Sequence, residues 1–203
     1  MSLQYNISYE VASTIFLIIL LFYVRLQYDT HTRLNKEFRK LTWVGLIATV
    51  LDVTTAVTIS YAGIIPMEVN ILLNTFYFVS VAILGYQVMY YVLYYVYRDR
   101  MKRTFIRFNQ ILICFYAAVF ILNIFIGFFF SFTKDGAYVK GPAYLAVYVA
   151  PCYFVMCASV ILFCNFRRFR IWQRISIFLF VFFQISGTVL QMFFSRIHCW
   201  HCL

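Results

Sequence analysis

The chain has 203 residues, of which 64% are hydrophobic, 22% aromatic and only 12% charged, with a formal net charge of +10. Soluble domains average about 45–50% apolar and about 25% charged residues. This composition, with a mean hydropathy of +0.83, therefore excludes a water-soluble domain, and 7 Gly with 3 Pro exclude a disordered or collagen-like chain.

A helix crossing the hydrocarbon core needs roughly 20 apolar residues. Six segments predict such spans, at residues 7–24, 41–60, 69–97, 108–130, 144–164 and 175–194, the first carrying Glu10 near its outer end. The runs are continuous, without the alternating polarity of barrel strands. The predicted fold class is all-α, an integral membrane bundle of six transmembrane helices. Residues 1–195 make one helical membrane domain, and 196–203 read as a short tail, either non-native or a truncation end.

The basic residues fall in a few short segments. Arg25, Arg33, Lys36, Arg39 and Lys40 follow the first span. Arg98, Arg100, Lys102, Arg103 and Arg107 follow the third, and Arg167, Arg168, Arg170 and Arg174 follow the fifth. In an alternating bundle all of these share one side, leaving Lys134, Lys140 and Arg196 for the other. The excess of Lys and Arg marks the cytoplasmic side, which predicts a multi-pass protein of the cytoplasmic membrane with its N-terminus outside and its C-terminus, as written, outside. No basic residue precedes the first span, so it reads as an uncleaved anchor, not a signal peptide. The lipid bilayer is the first partner, anionic lipid a secondary one. Short loops offer no contiguous basic face, so no nucleic-acid partner is expected. Residues 98–107 are expected to continue the third helix into water.

Asp52 is the acidic residue deepest in a predicted span. Gly45, Ala48, Asp52, Thr55 and Ala56 recur at helical spacing, and small residues permit close helix contact, so this stripe faces protein. Intramembrane acids are costly and mark either a site or a paired structural contact, and both readings stand here. Asn70, Asn74 and Asn123 fall at similar depth. Gln184 and Gln191 lie seven residues apart, with Gly187 and Thr188 between them. Together with Asp52 and Thr55 they would line a ligand pocket open to the outside. Interhelical hydrogen bonds of about 0.6–2 kcal/mol explain each one equally well.

Tyr90, Tyr91, Tyr94, Tyr95 and Tyr97 end the third span, and Tyr94 to Tyr97 fit an interfacial aromatic belt. Tyr86 lies about 16 Å above that end, too deep for the belt and more in keeping with packing. Pro151 is expected to kink the fifth span, freeing a backbone carbonyl; such a kink can be a hinge, with plain packing as the default for a membrane proline. The spans contain no His and no Lys, and the chain has no H-E-x-x-H and no Gly-rich phosphate loop. The run from His198 to Cys202 has ligand-type residues but too few positions for a tetrahedral site. No metal, cofactor or catalytic residue is predicted, and enzyme activity is not expected.

Residues 51–78 (LDVTTAVTISYAGIIPMEVNILLNTFYF), 130–153 (FSFTKDGAYVKGPAYLAVYVAPCY) and 174–194 (RISIFLFVFFQISGTVLQMFF) resemble the N-terminal multi-helix membrane region of Firmicute diguanylate cyclases with a GGDEF domain. Related membrane regions precede sensor histidine kinases. The resemblance implies a bacterial input module that dimerises in its full-length context and passes an external small-molecule signal to a cytosolic domain making cyclic di-GMP. No GGDEF string occurs in the chain, so the catalytic activity is not carried over. The alternatives are a small transporter or channel using Asp52, or a structural membrane partner.

Overall fold

The computed structural model describes residues 8–27, 32–61, 64–98, 102–133, 137–169, 171–172 and 174–175. Among the described residues the α-helices named in chain order are α1 (Ser8–Gln27), α2 (Arg33–Ser60), α3 (Met67–Tyr97), α4 (Arg103–Ile126) and α5 (Val149–Cys164). Among the described residues, Arg33–Ser60, Met67–Tyr97, Arg103–Ile126 and Tyr144–Cys164 are long and apolar enough to cross a membrane, and Val11–Leu26 is a shorter apolar helix. The all-α membrane architecture is thus present. The sixth predicted span, apart from Ile175, lies outside the described residues with Gln184, Gln191 and the tail.

Helix α3 is the hub. It packs against α2, α4 and α5, while α1 reaches the bundle through α2. Small residues set the approach distances, because every added Cβ pushes two backbones apart. A Cβ on Gly45 would lie 3.7 Å from Leu17 of α1 and 3.8 Å from Leu84 of α3. At Gly85 it would meet the Pro151 Cα at 3.3 Å and the Phe154 Cβ at 3.4 Å, so α3 and α5 approach closely there. Around that contact Ala82, Met89, Phe154 and Ala158 are fully buried.

Three departures from the sequence reading stand out. Helix α3 does not continue through residues 98–107. It stops at Tyr97, Arg98 takes a φ of +50°, and α4 begins at Arg103 after an N-cap at Lys102. Arg98, Lys102 and Arg103 carry like charges, which repel one another along a continuous helix.

The second departure is a β-hairpin between α4 and α5. Helix α4 ends four residues earlier than the apolar run, at Ile126, because Gly127 caps it in the left-handed region (φ +67°) and returns its N–H to the Asn123 carbonyl at 2.8 Å. Strands β1 (Phe130–Phe132) and β2 (Tyr138–Lys140) then pair antiparallel, with Ser131 opposite Val139. Gly141 closes the base, its N–H donating to the Phe129 carbonyl at 2.8 Å, and any Cβ there would collide with the Phe128 carbonyl.

Pro151 gives the third. A 3₁₀ turn at Tyr144–Tyr148 leads into α5, and Pro151 is the third residue of that helix. A kink in mid-span gives way to a change of helix type in the first turn, where a missing N–H costs least. Because the first turn of α5 lies against Gly85, about 27 Å of α3 separates that contact from Met67. The hairpin and the 3₁₀ turn bring Phe129, Phe130, Phe132 and Val147 to that stretch, packed on Phe78 and Phe120.

Candidate functional site

The order of helices collects the basic residues at one end. There Arg33 lies over the Tyr94 ring at 5.1 Å, Phe38 meets Tyr91 at 5.7 Å, Tyr95 stacks on Phe169 at 5.7 Å, and the Asn165 amide donates to the Tyr97 hydroxyl at 3.0 Å. Arg174 braces the exit from α5, donating to the carbonyls of Phe169 (2.8 Å) and Arg167 (3.1 Å).

Glu37 was missed from the sequence because its neighbours Lys36, Arg39 and Lys40 make the segment look wholly solvated. It is only 5% exposed. Lys40 donates to its Oε1 at 3.0 Å, and Gln87 of α3 donates to its Oε2 at 3.3 Å. The i, i+3 spacing of Glu37 and Lys40 was the available signal. This contact also levels the two helices: Gln87 stands beside the charged turns of α2. Tyr86, the neighbour of Gln87 in the sequence, packs its ring on Tyr90 (6.2 Å) and Phe154 (5.6 Å), in keeping with a packing role.

Towards the opposite end, α2 and α3 form a polar layer. Gly45, Ala48, Thr55 and Ala56 are buried and Asp52 is half-buried, so the predicted stripe does face protein. Thr55, Thr58, Asn70, Asn74 and Thr75 are each no more than 8% exposed. Most of their protons are committed within the helices. Thr55 donates to the Asp52 carbonyl (2.9 Å), Thr58 to Thr55 (3.1 Å), Thr75 to Ile71 (2.9 Å), and the Asn74 amide to the Asn70 carbonyl (2.9 Å). Asn70 differs. It is 0% exposed, and neither Nδ2 nor Oδ1 has a hydrogen-bond partner among the described residues.

Asn123 does not join that layer. Its Oδ1 accepts from the Phe129 N–H at 2.7 Å and its Nδ2 donates to the Phe130 carbonyl at 3.1 Å, so it clamps the start of the hairpin. Gln184 and Gln191 lie outside the described residues. Asp52, Thr55, Asn70 and Asn74 are thus the predicted site residues that the helix pair α2–α3 carries.

A second group was not singled out from the sequence. Tyr138 of β2 lies against Tyr144 with rings at 79° and 6.5 Å, and Tyr144 against Tyr148 at 84° and 6.0 Å. The hydroxyls of Tyr144 and Tyr148 are 3.5 Å apart, and the Lys140 ammonium lies 4.9 Å from the Tyr144 ring centre. Burial, then the neighbouring phenols of Tyr144, Tyr148 and Tyr77, push the Tyr138 phenol well above the ordinary range. Period-two alternation in F-S-F and Y-V-K around T-K-D-G-A was the signal for the hairpin that gathers them.

Comparison of the chain with protein-family models, curated proteins and solved structures finds no match. Among the described residues no group of three or more His, Cys, Asp or Glu side chains could hold a metal ion.

Proposed function

We propose that the chain is the membrane-embedded sensory module of a bacterial cyclic di-GMP signalling protein, with six spans, its N-terminus outside, and a homodimeric state in its full-length context. The observation that carries the reading is the orphaned amide of Asn70 in the α2–α3 polar layer. Buried donors and acceptors are nearly always satisfied, so an amide with both ends open in a membrane bundle marks a place where a small polar signal molecule binds. Helix α3 runs from that layer to the Glu37–Gln87 bond and the aromatic contacts at the basic end. A shift of α3 at one end reaches the other through one rigid element.

The test joins a diguanylate cyclase domain after residue 195 through an added spanning helix and measures cellular cyclic di-GMP. Under this reading Asn70→Leu, Thr55→Val and Asp52→Asn each change the output at unchanged membrane abundance. Output indifferent to all three sinks it.

The transporter reading draws on the half-buried position of Asp52 within α2. Proton-coupled uptake into vesicles, lost in Asp52→Asn, would put it ahead.

A further inference from the structure

One side of α3 is left open. Leu72, Phe76, Ile83 and Tyr90 recur at helical spacing, the first three exposed and Tyr90 half-buried. Helices α2 and α4 border this strip, each packing chiefly on α3. Gln87 reaches Glu37 on the α2 side at 3.3 Å, and the Tyr86 phenol lies beside the Gln110 amide on the α4 side. Arg33 over the Tyr94 ring turns one flank of α2 to the strip, and Lys36 and Lys40, three and seven residues on, share that flank. Arg107 and Arg103, three and seven residues before Gln110, share its face of α4. Lys36 and Arg107 therefore come within about a turn of the level of Tyr90, from opposite borders. Both are exposed, as is Arg103. The side chains of Lys36, Tyr90, Arg103 and Arg107 make no hydrogen bond or ion pair among the described residues. Lys40 is paired with Glu37, whose other oxygen is taken by Gln87. Positive charge is thus in excess at the basic end of an apolar strip.

We propose that this strip holds an anionic phospholipid. Its phosphate lies between Lys36 and Arg107 at the Tyr90 hydroxyl, Lys40 and Arg103 add charge, and an acyl chain runs past Ile83 towards Phe76. Phosphate suits the head of the strip because an ammonium, a guanidinium and a phenol all give it charge-assisted bonds. Basic pockets between spanning helices hold anionic headgroups in this way. A chain suits the rest: Phe76 is about 21 Å along the axis from Tyr90, the depth of one leaflet with its headgroup layer. A second copy of the chain would bring the same cations against these and be repelled. Asn70 is two residues from Leu72, about 200° around α3, and buried. The two sites are therefore separate, and failure here leaves the sensor reading standing.

The test offers the full chain in detergent micelles equal amounts of phosphatidylglycerol and phosphatidylcholine with identical acyl chains. Native mass spectrometry reads the lipid retained. Phosphatidylglycerol is expected to be retained at least about tenfold over phosphatidylcholine. Loss of one cation beside an anionic headgroup costs about fivefold, so Lys36→Gln and Arg107→Gln should each lower the preference by about that factor. Arg167→Gln, the same change of charge at the exit of α5 across α3, should leave it unchanged. Tyr90→Phe removes only a hydroxyl and should also weaken the preference, and melting temperatures show that each variant folds. Glycerol phosphate, the headgroup without chains, should not displace an equal amount of phosphatidylglycerol. Equal retention of the two lipids, an equal effect of Arg167→Gln, or displacement by glycerol phosphate overturns the proposal.

Discussion

Tyr116 of α4 donates its hydroxyl to the carbonyl of Val147 at 2.8 Å. Val147 stands four residues before Pro151, whose missing N–H is the group that would otherwise take this carbonyl in a regular helix. The acceptor freed by the proline is thus held by a different helix. Tyr116→Phe should lower stability by about 1–2 kcal/mol by leaving that carbonyl unpaired. Pro151→Ala restores a backbone donor, so the double variant should lose less than the sum of the two single changes. Reversible unfolding in mixed micelles checks the cycle, and strict additivity would show that the two residues are not coupled.

Close approach at Gly85 makes α3 and α5 sensitive to a single methyl group. Gly85→Ala must push against the Pro151 backbone, and Gly85→Val more so. Overpacking of this kind costs roughly 1–3 kcal/mol. Thermal melts of the two variants should fall in that order. A melting temperature unchanged by Val would mean that the helices part freely.

Asn123 fastens the hairpin by both ends of its amide. Asn123→Leu keeps the branched shape and loses both bonds, and the cost should be about 1–3 kcal/mol for the buried backbone groups left behind. The released hairpin should be cut faster by trypsin at Lys134 and Lys140, measured by mass spectrometry of fragments. Unchanged cleavage would assign the hairpin's order to its phenylalanines alone.

The raised phenol of Tyr138 gives a pH dependence with a definite sign. An unfolded tyrosine loses its proton near pH 10, whereas Tyr138 in the fold keeps it to higher pH. Below about pH 10 the group is neutral in both states and adds no slope. Above it, the unfolded state is favoured by deprotonation and stability falls as pH rises. Tyr138→Phe should flatten the stability curve above about pH 10, and an identical slope would contradict the burial of that hydroxyl.

Glu37 and Lys40 should behave unequally. Lys40 is 63% exposed on its side chain and Glu37 7%, so the ion pair is largely screened at one partner. Lys40→Ala should change the melting temperature little. Glu37→Ala removes the acceptor of the bond from Gln87 across α2 and α3 and should lower it clearly, with Glu37→Gln in between.

Four helices and a shorter fifth could be read from hydropathy, because length and apolar content alone specify a spanning helix. The faces of α2 could be read as well, since Gly45, Ala48 and Thr55 recur at helical spacing and do end up buried. The hairpin could not be separated from the span before it, because Phe128, Phe129 and Phe130 are as apolar as lipid-facing helix. Only the positive φ of Gly127 ends that helix, and a single glycine does not announce its dihedral angle. Asn123 and Asn70 look alike in sequence. One finds two backbone partners six and seven residues on, and the other finds none, a difference that depends on how the chain returns.

Gly85 and Tyr97 are twelve residues apart, about 18 Å along the helix axis. With a close neighbour at Gly85 and its tip tied to Asn165 and Phe169, α3 has the proportions of a lever arm. A tilt of about 5° about Gly85 carries Tyr97 sideways by about 1.5 Å. That is half the length of the bond from Asn165, so even a small rotation in the bilayer must either drag the arginine-braced exit of α5 along or break its hold on the arm.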